Sequence, residues 1–110
     1  MRLMTVLMLA GATALSQVAV AQRSTLDSGA LIEKYCTGCH NGEDFAGGLD
    51  LLAASAHTLA DKADVGERVI KRLRAGMMPP VGKDRPSYDT VQELARALEQ
   101  GIDKHAATQV

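Results

Sequence analysis

Residues 36–42 read Cys36-Thr37-Gly38-Cys39-His40-Asn41-Gly42, and the spacing within this short stretch organises the reading of the whole chain. Two thiols separated by two residues and followed at once by an imidazole form the C-x-x-C-H signature of c-type haem attachment. Each part has a physical task. The thiols add across the porphyrin vinyl groups to form thioethers, one helical turn brings both sulfurs to the same ring edge, and the adjacent imidazole swings beneath the ring to offer a nitrogen to the iron. Chance competes poorly with this reading. Two cysteines among 110 positions fall three apart in roughly 2% of arrangements and a following His occurs with ~3% frequency, about 1 case in 2,000. Three other uses of the pair are weaker. A thioredoxin-like dithiol expects a βαβ context, and a structural disulfide needs only an oxidising compartment. A zinc site wants four ligands, and His57 and His105 stand at no finger-like spacing.

Working outward, the flanking pattern is helical. Ser28 is placed to cap a first helix in which Leu31, Ile32, Tyr35 and Cys36 share a face, with Gly38 and Asn41-Gly42 ending it. Residues 41–63 read as a glycine-punctuated excursion with a few buried Leu and a weakly signalled short helix near Leu51 to Leu59. Asp64, with Glu67 three residues on, resembles a capping box for a second helix striped by Val65, Val69, Ile70 and Leu73. Gly76 suits a left-handed C-terminal cap. Met77-Met78-Pro79-Pro80 then runs extended, because a residue before Pro is driven from helical angles. A last helix, capped by Asp89 or Thr90, carries Val91, Leu94, Ala95, Leu98 and Ile102 on one face. The pattern contains no persuasive strand, which predicts a small all-α domain.

A haem held through His40 needs a second axial ligand from far along the chain. Met77 and Met78 are the only methionines after residue 8. A thioether opposite a neutral imidazole favours ferrous iron and raises the reduction potential, and Pro79-Pro80 stiffens the backbone just after it. The competing reading is plain core filling, which Met does anywhere. Neighbours in an extended segment point opposite ways, so only one of the two ligates.

Composition agrees and excludes other classes. The 110 residues carry 12 Lys and Arg against 13 Asp and Glu, which removes the basic excess that nucleic-acid binding requires. At 46% hydrophobic residues the chain is too apolar for disorder, yet Tyr35, Phe45 and Tyr88 are its only aromatics and it has no Trp. A covalently held macrocycle would supply the bulk such a core lacks. Residues 1–21 (MRLMTVLMLAGATALSQVAVA) have the charged, apolar and A-x-A order of a secretory signal peptide cleaved after Ala21, with no Cys there for lipid attachment. An uncleaved membrane anchor is the alternative, weakened by Gly11, Thr13, Ser16 and Gln17 within the apolar run. Residues 22–110 are then one exported domain, periplasmic or secreted, which touches a membrane only if the signal segment is retained. No Ser-His-Asp set, phosphate loop or paired-carboxylate site can be picked out. His57 and His105 read as exposed, and Arg68, Lys71, Arg72 and Arg74 as either a solvated helix face or a docking patch for an acidic redox partner.

Cys36-Thr37-Gly38-Cys39-His40-Asn41, Gly47-Gly48-Leu49-Asp50-Leu51 and Lys71-Arg72-Leu73-Arg74-Ala75-Gly76-Met77-Met78-Pro79-Pro80 together resemble the planctomycete-type cytochrome c domain. That family shows a CxxCHN motif, a GGL segment and a helix ending in an RxGxMPP turn, and the resemblance spans roughly residues 31–98. It implies a class I cytochrome c-like helical fold wrapped around one covalently attached haem c. By the same match Cys36 and Cys39 are the thioether residues, His40 is the proximal ligand and Met78, directly before Pro-Pro, is the distal one, with Met77 the alternative. Two positions depart from the pattern. Ala97 stands where the family often has a Trp, and Ser28 and Ile32 stand where class I cytochromes pack a Gly and an aromatic against the last helix. The interhelix contact is therefore expected to be aliphatic, Ile32 against Leu94 and Leu98. The implied function is single-electron transport between redox partner proteins, a dehydrogenase or an oxidase, with no catalysis at the metal. A haem enzyme or gas sensor with an open sixth position is the alternative, and a haem-free disulfide module is a third.

Overall fold

The computed structural model describes residues 26–110, and the signal-peptide reading of residues 1–21 lies outside them. Three helices make up the regular structure of this region: α1 (Ser28–Tyr35), α2 (Ala63–Arg74) and α3 (Tyr88–Ala107), with a single 3₁₀ turn at Ala46–Gly48. No strand occurs among the described residues. The domain is all-α, as its periodicity predicts. No helix of the described residues is long and apolar enough to cross a membrane.

Helix starts differ from the sequence expectations at all three places, for local reasons. Asp27, not Ser28, caps α1, its carboxylate accepting from the Ala30 amide at 3.0 Å. Ser28 is instead buried, and its hydroxyl accepts from the Ala56 amide at 2.9 Å, tying the long loop to α1. Helix α2 begins before Asp64, behind Lys62, which provides no side-chain cap, so Asp64 lies in the first turn and acts there only as an acidic residue favourable to the helix dipole. Helix α3 begins earlier than Asp89 or Thr90. Ser87 caps it, its hydroxyl accepting from the Thr90 amide at 3.2 Å.

The end of α2 follows its sequence signal. Gly76 is left-handed at φ +67°, its amide bonds Leu73 O at 3.1 Å, and the Met77 amide bonds Arg72 O at 3.0 Å. This pair of bonds is a Schellman motif, and it fixes the direction in which the next residues leave the helix. The expected short helix near Leu51 to Leu59 is absent. That stretch is a series of turns in which Leu51, Ala54 and Leu59 are buried while His57 is exposed.

The core is aliphatic throughout. Ile32, Leu94 and Leu98 belong to one buried cluster with Val69, Ile70, Leu73 and Ile102, and no aromatic residue is buried. Ile32 and Leu98 are each 1% exposed, the most enclosed large side chains of the described residues. Helix α3 contacts both α1 and α2, whereas α1 and α2 do not contact one another. Two shorter helices thus stand apart on a shared third one, and the space between them is where the chemistry-bearing residues collect.

Candidate haem-binding site

A cavity of about 900 Å³ opens between the end of α1, the loop that follows it, and α2. Its size lies within the ~300–1,000 Å³ of pockets that enclose cofactor-sized ligands. Cys36, Cys39 and His40 line it together with Met78, Pro79 and Pro80, and Leu49, Leu51, Val69 and Leu73 supply apolar wall. Residues 38 positions apart in the chain, His40 and Met78, therefore face a common space. Met77 does not line it. Met77 is 52% exposed, and its Sδ accepts from Arg72 Nη1 at 3.3 Å on the outside of the turn. The chain does not run straight out of the helix as expected but bends at Met78 and Pro79, and it is across this bend that the two side chains part.

The 36–41 segment is shaped by hydrogen bonds rather than by burial. The Cys36 amide continues the α1 ladder to Ile32 O at 2.9 Å, and the His40 amide returns to Cys36 O at 3.0 Å. Both thiols are free, Cys36 half-buried and Cys39 exposed. Desolvation by the neighbouring core pushes the Cys36 thiol above its ordinary pKa. Asn41 holds the turn from both ends of its amide. Its Nδ2 donates to Thr37 O at 2.9 Å and to Asp44 Oδ2 at 3.1 Å, while its Oδ1 accepts from the amides of Glu43 at 3.0 Å and Asp44 at 2.8 Å.

His40 is oriented by the backbone. Its Nδ1 lies 2.8 Å from Ala46 O. A carbonyl can only accept, so Nδ1 carries the proton, and in the neutral ring the Nε2 lone pair is left free to bind a metal. Support of this kind fixes ring orientation and raises imidazole basicity toward a metal. The Ala46 carbonyl could not be found by sequence reasoning, because a backbone acceptor leaves no residue signature.

Charge is distributed unevenly around the cavity. Lys34, Arg68, Lys71, Arg72 and Lys83 line it against a single acid, Asp84. The four-residue basic cluster of the sequence is split by the fold. Arg74 points to α3, where it pairs with Glu99, and plays no part in the cavity. Lys34 from α1 and Lys83 from the loop after Pro80 take its place. His57 is exposed. His105, expected to be exposed, is half-buried in the last turn of α3, because that turn still lies along the fold. Neither histidine lines the cavity.

The donor set fits a haem: two thiols, an imidazole with a free nitrogen and a thioether surround a large space with an aliphatic wall. Residues 36–82 match the planctomycete cytochrome C family. Over these residues the chain is similar to a planctomycete-type cytochrome c domain. The match runs from the first cysteine to just beyond Pro-Pro and so includes Cys36, Cys39, His40 and Met78, all of which line the cavity. No curated protein and no solved structure matches the chain. The similarity suggests a haem-binding electron-transfer protein, and the small helical fold agrees with it.

Proposed function

We propose that this chain is an exported monohaem c-type cytochrome that passes single electrons between redox proteins. In this reading Cys36 and Cys39 form the thioethers to one haem c, and His40 and Met78 are its axial ligands. The observation that carries the reading is that these four residues, and not Met77, line one cavity. Bound there, haem supplies a one-electron ferric–ferrous couple, and a His/Met pair biases it toward the ferrous state. The protein's part is to hold His40 through Ala46 O, to deliver Met78 from the fixed end of α2, and to exclude water with Leu49, Leu51, Val69 and Leu73. With both axial positions filled, substrate chemistry at the metal is disfavoured, so the chain is a carrier rather than an enzyme.

The basic rim supports docking to an acidic face of a dehydrogenase or oxidase. The side chains of Lys71 and Lys83 have no hydrogen-bond or ion-pair partner among the described residues, so their charge is free to act outward. The signal-like residues 1–21 support a periplasmic or secreted location.

Absorption spectra of protein made in a host that matures c-type haem test the assignment. A sharp low-spin reduced spectrum, with the weak ferric Met-sulfur band, is expected, and Met78→Ala abolishes that band while Met77→Ala leaves it. Carbon monoxide should bind the Met78→Ala protein readily and the parent poorly. A high-spin parent that takes carbon monoxide at once would replace this reading with an open-site enzyme or sensor. Absence of haem would remove both.

A further inference from the structure

The carbonyl that orients His40 sits in a poorly anchored piece of chain. Phe45, Gly47 and Gly48 all have positive φ, at +46°, +61° and +71°, and none of Ala46–Gly48 is buried. The local bonds of this turn stay within its own neighbourhood. The Phe45 amide reaches Asn41 O, the Ala46 amide reaches Cys39 O at 3.1 Å, and the Gly48 amide reaches Phe45 O at 2.9 Å. Two adjacent glycines impose little stiffness of their own. Among the described residues one hydrogen bond joins the turn to a helix: Arg68 Nη2 donates to Gly47 O at 2.8 Å. Gly47 is the residue directly after the carbonyl that His40 uses, and a Cβ placed on it would stand 3.9 Å from His40 Cε1. Arg68 belongs to α2, the helix whose end leads into Met78.

We propose that Arg68 is a positioning residue for the proximal histidine. By holding Gly47 O against α2 it keeps the Ala46 carbonyl on His40 Nδ1, and so sets the orientation and donor strength of the imidazole toward a bound iron. The same bond ties the His40 side of the cleft to the helix that carries the Met78 side. This inference rests on ligation by His40 as proposed above.

The test compares haem-loaded Arg68→Gln with Lys71→Gln. Each removes one positive charge from the same rim and the same helix, and only the first removes the bond to Gly47. Proton NMR of the ferrous protein reads exchange of the His40 Nδ1 proton with solvent. Exchange should quicken at least tenfold in Arg68→Gln and stay at the parent rate in Lys71→Gln. Arg68→Lys, which keeps a donor on a stem of similar reach, should restore part of the protection. Losing a cation lowers the reduction potential in both glutamine variants. A weakened imidazole donor raises it, so Arg68→Gln should lie above Lys71→Gln. Equal exchange rates and equal potentials in the two variants, with low-spin His/Met spectra retained, would overturn the proposal. A parent protein without a low-spin His-ligated spectrum would instead defeat the functional reading, and this inference with it.

Discussion

Replacing Gly101 with Ala should destabilise the domain, although the same change in a free helix would stabilise it. Gly101 lies inside α3, where Ala is favoured over Gly by about 1 kcal/mol. A Cβ at this position would stand 2.6 Å from Ala56 O, a backbone atom. Ala56 cannot retreat freely, because its own amide donates to the buried Ser28 hydroxyl at 2.9 Å. Relieving the overlap costs about 1–3 kcal/mol of displaced packing, and straining the Ser28 bond adds up to ~1 kcal/mol. Set against the helix gain, the net is a loss of up to about 3 kcal/mol, centred near ~1.5 kcal/mol. Gly66→Ala is the matched control. There the Cβ meets Ile102 Cδ1 at 2.7 Å, the far end of a side chain that can turn for about 0.5–1.5 kcal/mol, close to the helix gain. Urea denaturation followed by far-ultraviolet circular dichroism measures both, with unchanged slope as the sign that only stability moved. For a domain of this size each kcal/mol should also lower Tm by about 4–8 °C. In a Ser28→Ala background Ala56 is released, so Gly101→Ala should cost at least ~0.5 kcal/mol less. Equal stability of Gly101→Ala and Gly66→Ala, or simple additivity with Ser28→Ala, would refute the reasoning.

Three further outcomes follow from particular contacts. Asn41→Ala strips the acceptor from the Glu43 and Asp44 amides and the donor from Thr37 O, and should cost about 1–2 kcal/mol by urea denaturation, with Asn41→Asp no better at neutral pH because its carboxylate would stand against that of Asp44. Arg74, donating to Glu99, holds that carboxyl below its ordinary range, so the stabilisation from the pair is present above the usual carboxylate pKa and fades as pH falls through the lowered value. Glu99→Gln should therefore be less stable than the parent near neutral pH and equal to it in acid, and high salt should shrink the neutral-pH difference because the pair is exposed. Replacing Lys71 and Lys83 together by Gln should slow oxidation by ferricyanide several-fold at low salt and speed oxidation by a cationic cobalt complex, since charge steering is worth ~10–1,000-fold over a whole surface; unchanged rates with both oxidants would remove the basic rim as a docking feature.

The parts of this domain that sequence reveals are those written in side chains at regular spacing. Val69, Ile70 and Leu73, and Leu94, Leu98 and Ile102, declare their helices by period, and all six are buried. Gly76 declares the end of α2, because only a residue tolerant of positive φ ends a helix that way without strain. Cap positions were less legible. Asp27, Ser28, Ser87, Asp89 and Thr90 are all acceptable caps by type, and the choice among them depended on tertiary demand: Ser28 was claimed by Ala56 and left Asp27 to serve the helix. The short helix expected near Leu51 to Leu59 gave way to turns that bury Leu51 and Leu59 and pin Ala56.

The site divides in the same manner. Cys36, Cys39, His40 and Met78 were singled out by residue type and spacing, and the fold brings all four to one cavity, while the outward turn of Met77 belongs to a bend at Met78-Pro79 in place of the expected extended run. What organises them was not legible, because it is made of backbone: Ala46 O orients His40, and Gly47 O receives Arg68. The basic cluster shows the cost of reading charge along one helix. Arg68, Lys71, Arg72 and Arg74 look equivalent in sequence, yet one anchors the turn beside His40, one caps the Met77 sulfur and one pairs with α3. Lys71 alone of the four has no such partner, and it joins Lys83 and Lys34 from other segments at the cavity. A charge that is already hydrogen-bonded within the fold is held in place and acts chiefly on its neighbours, whereas an unpaired one on a long stem extends its field to whatever approaches. The four basic residues of α2 thus have different work, and mutations among them should separate into those that alter the environment of His40 and those that alter only encounter rates.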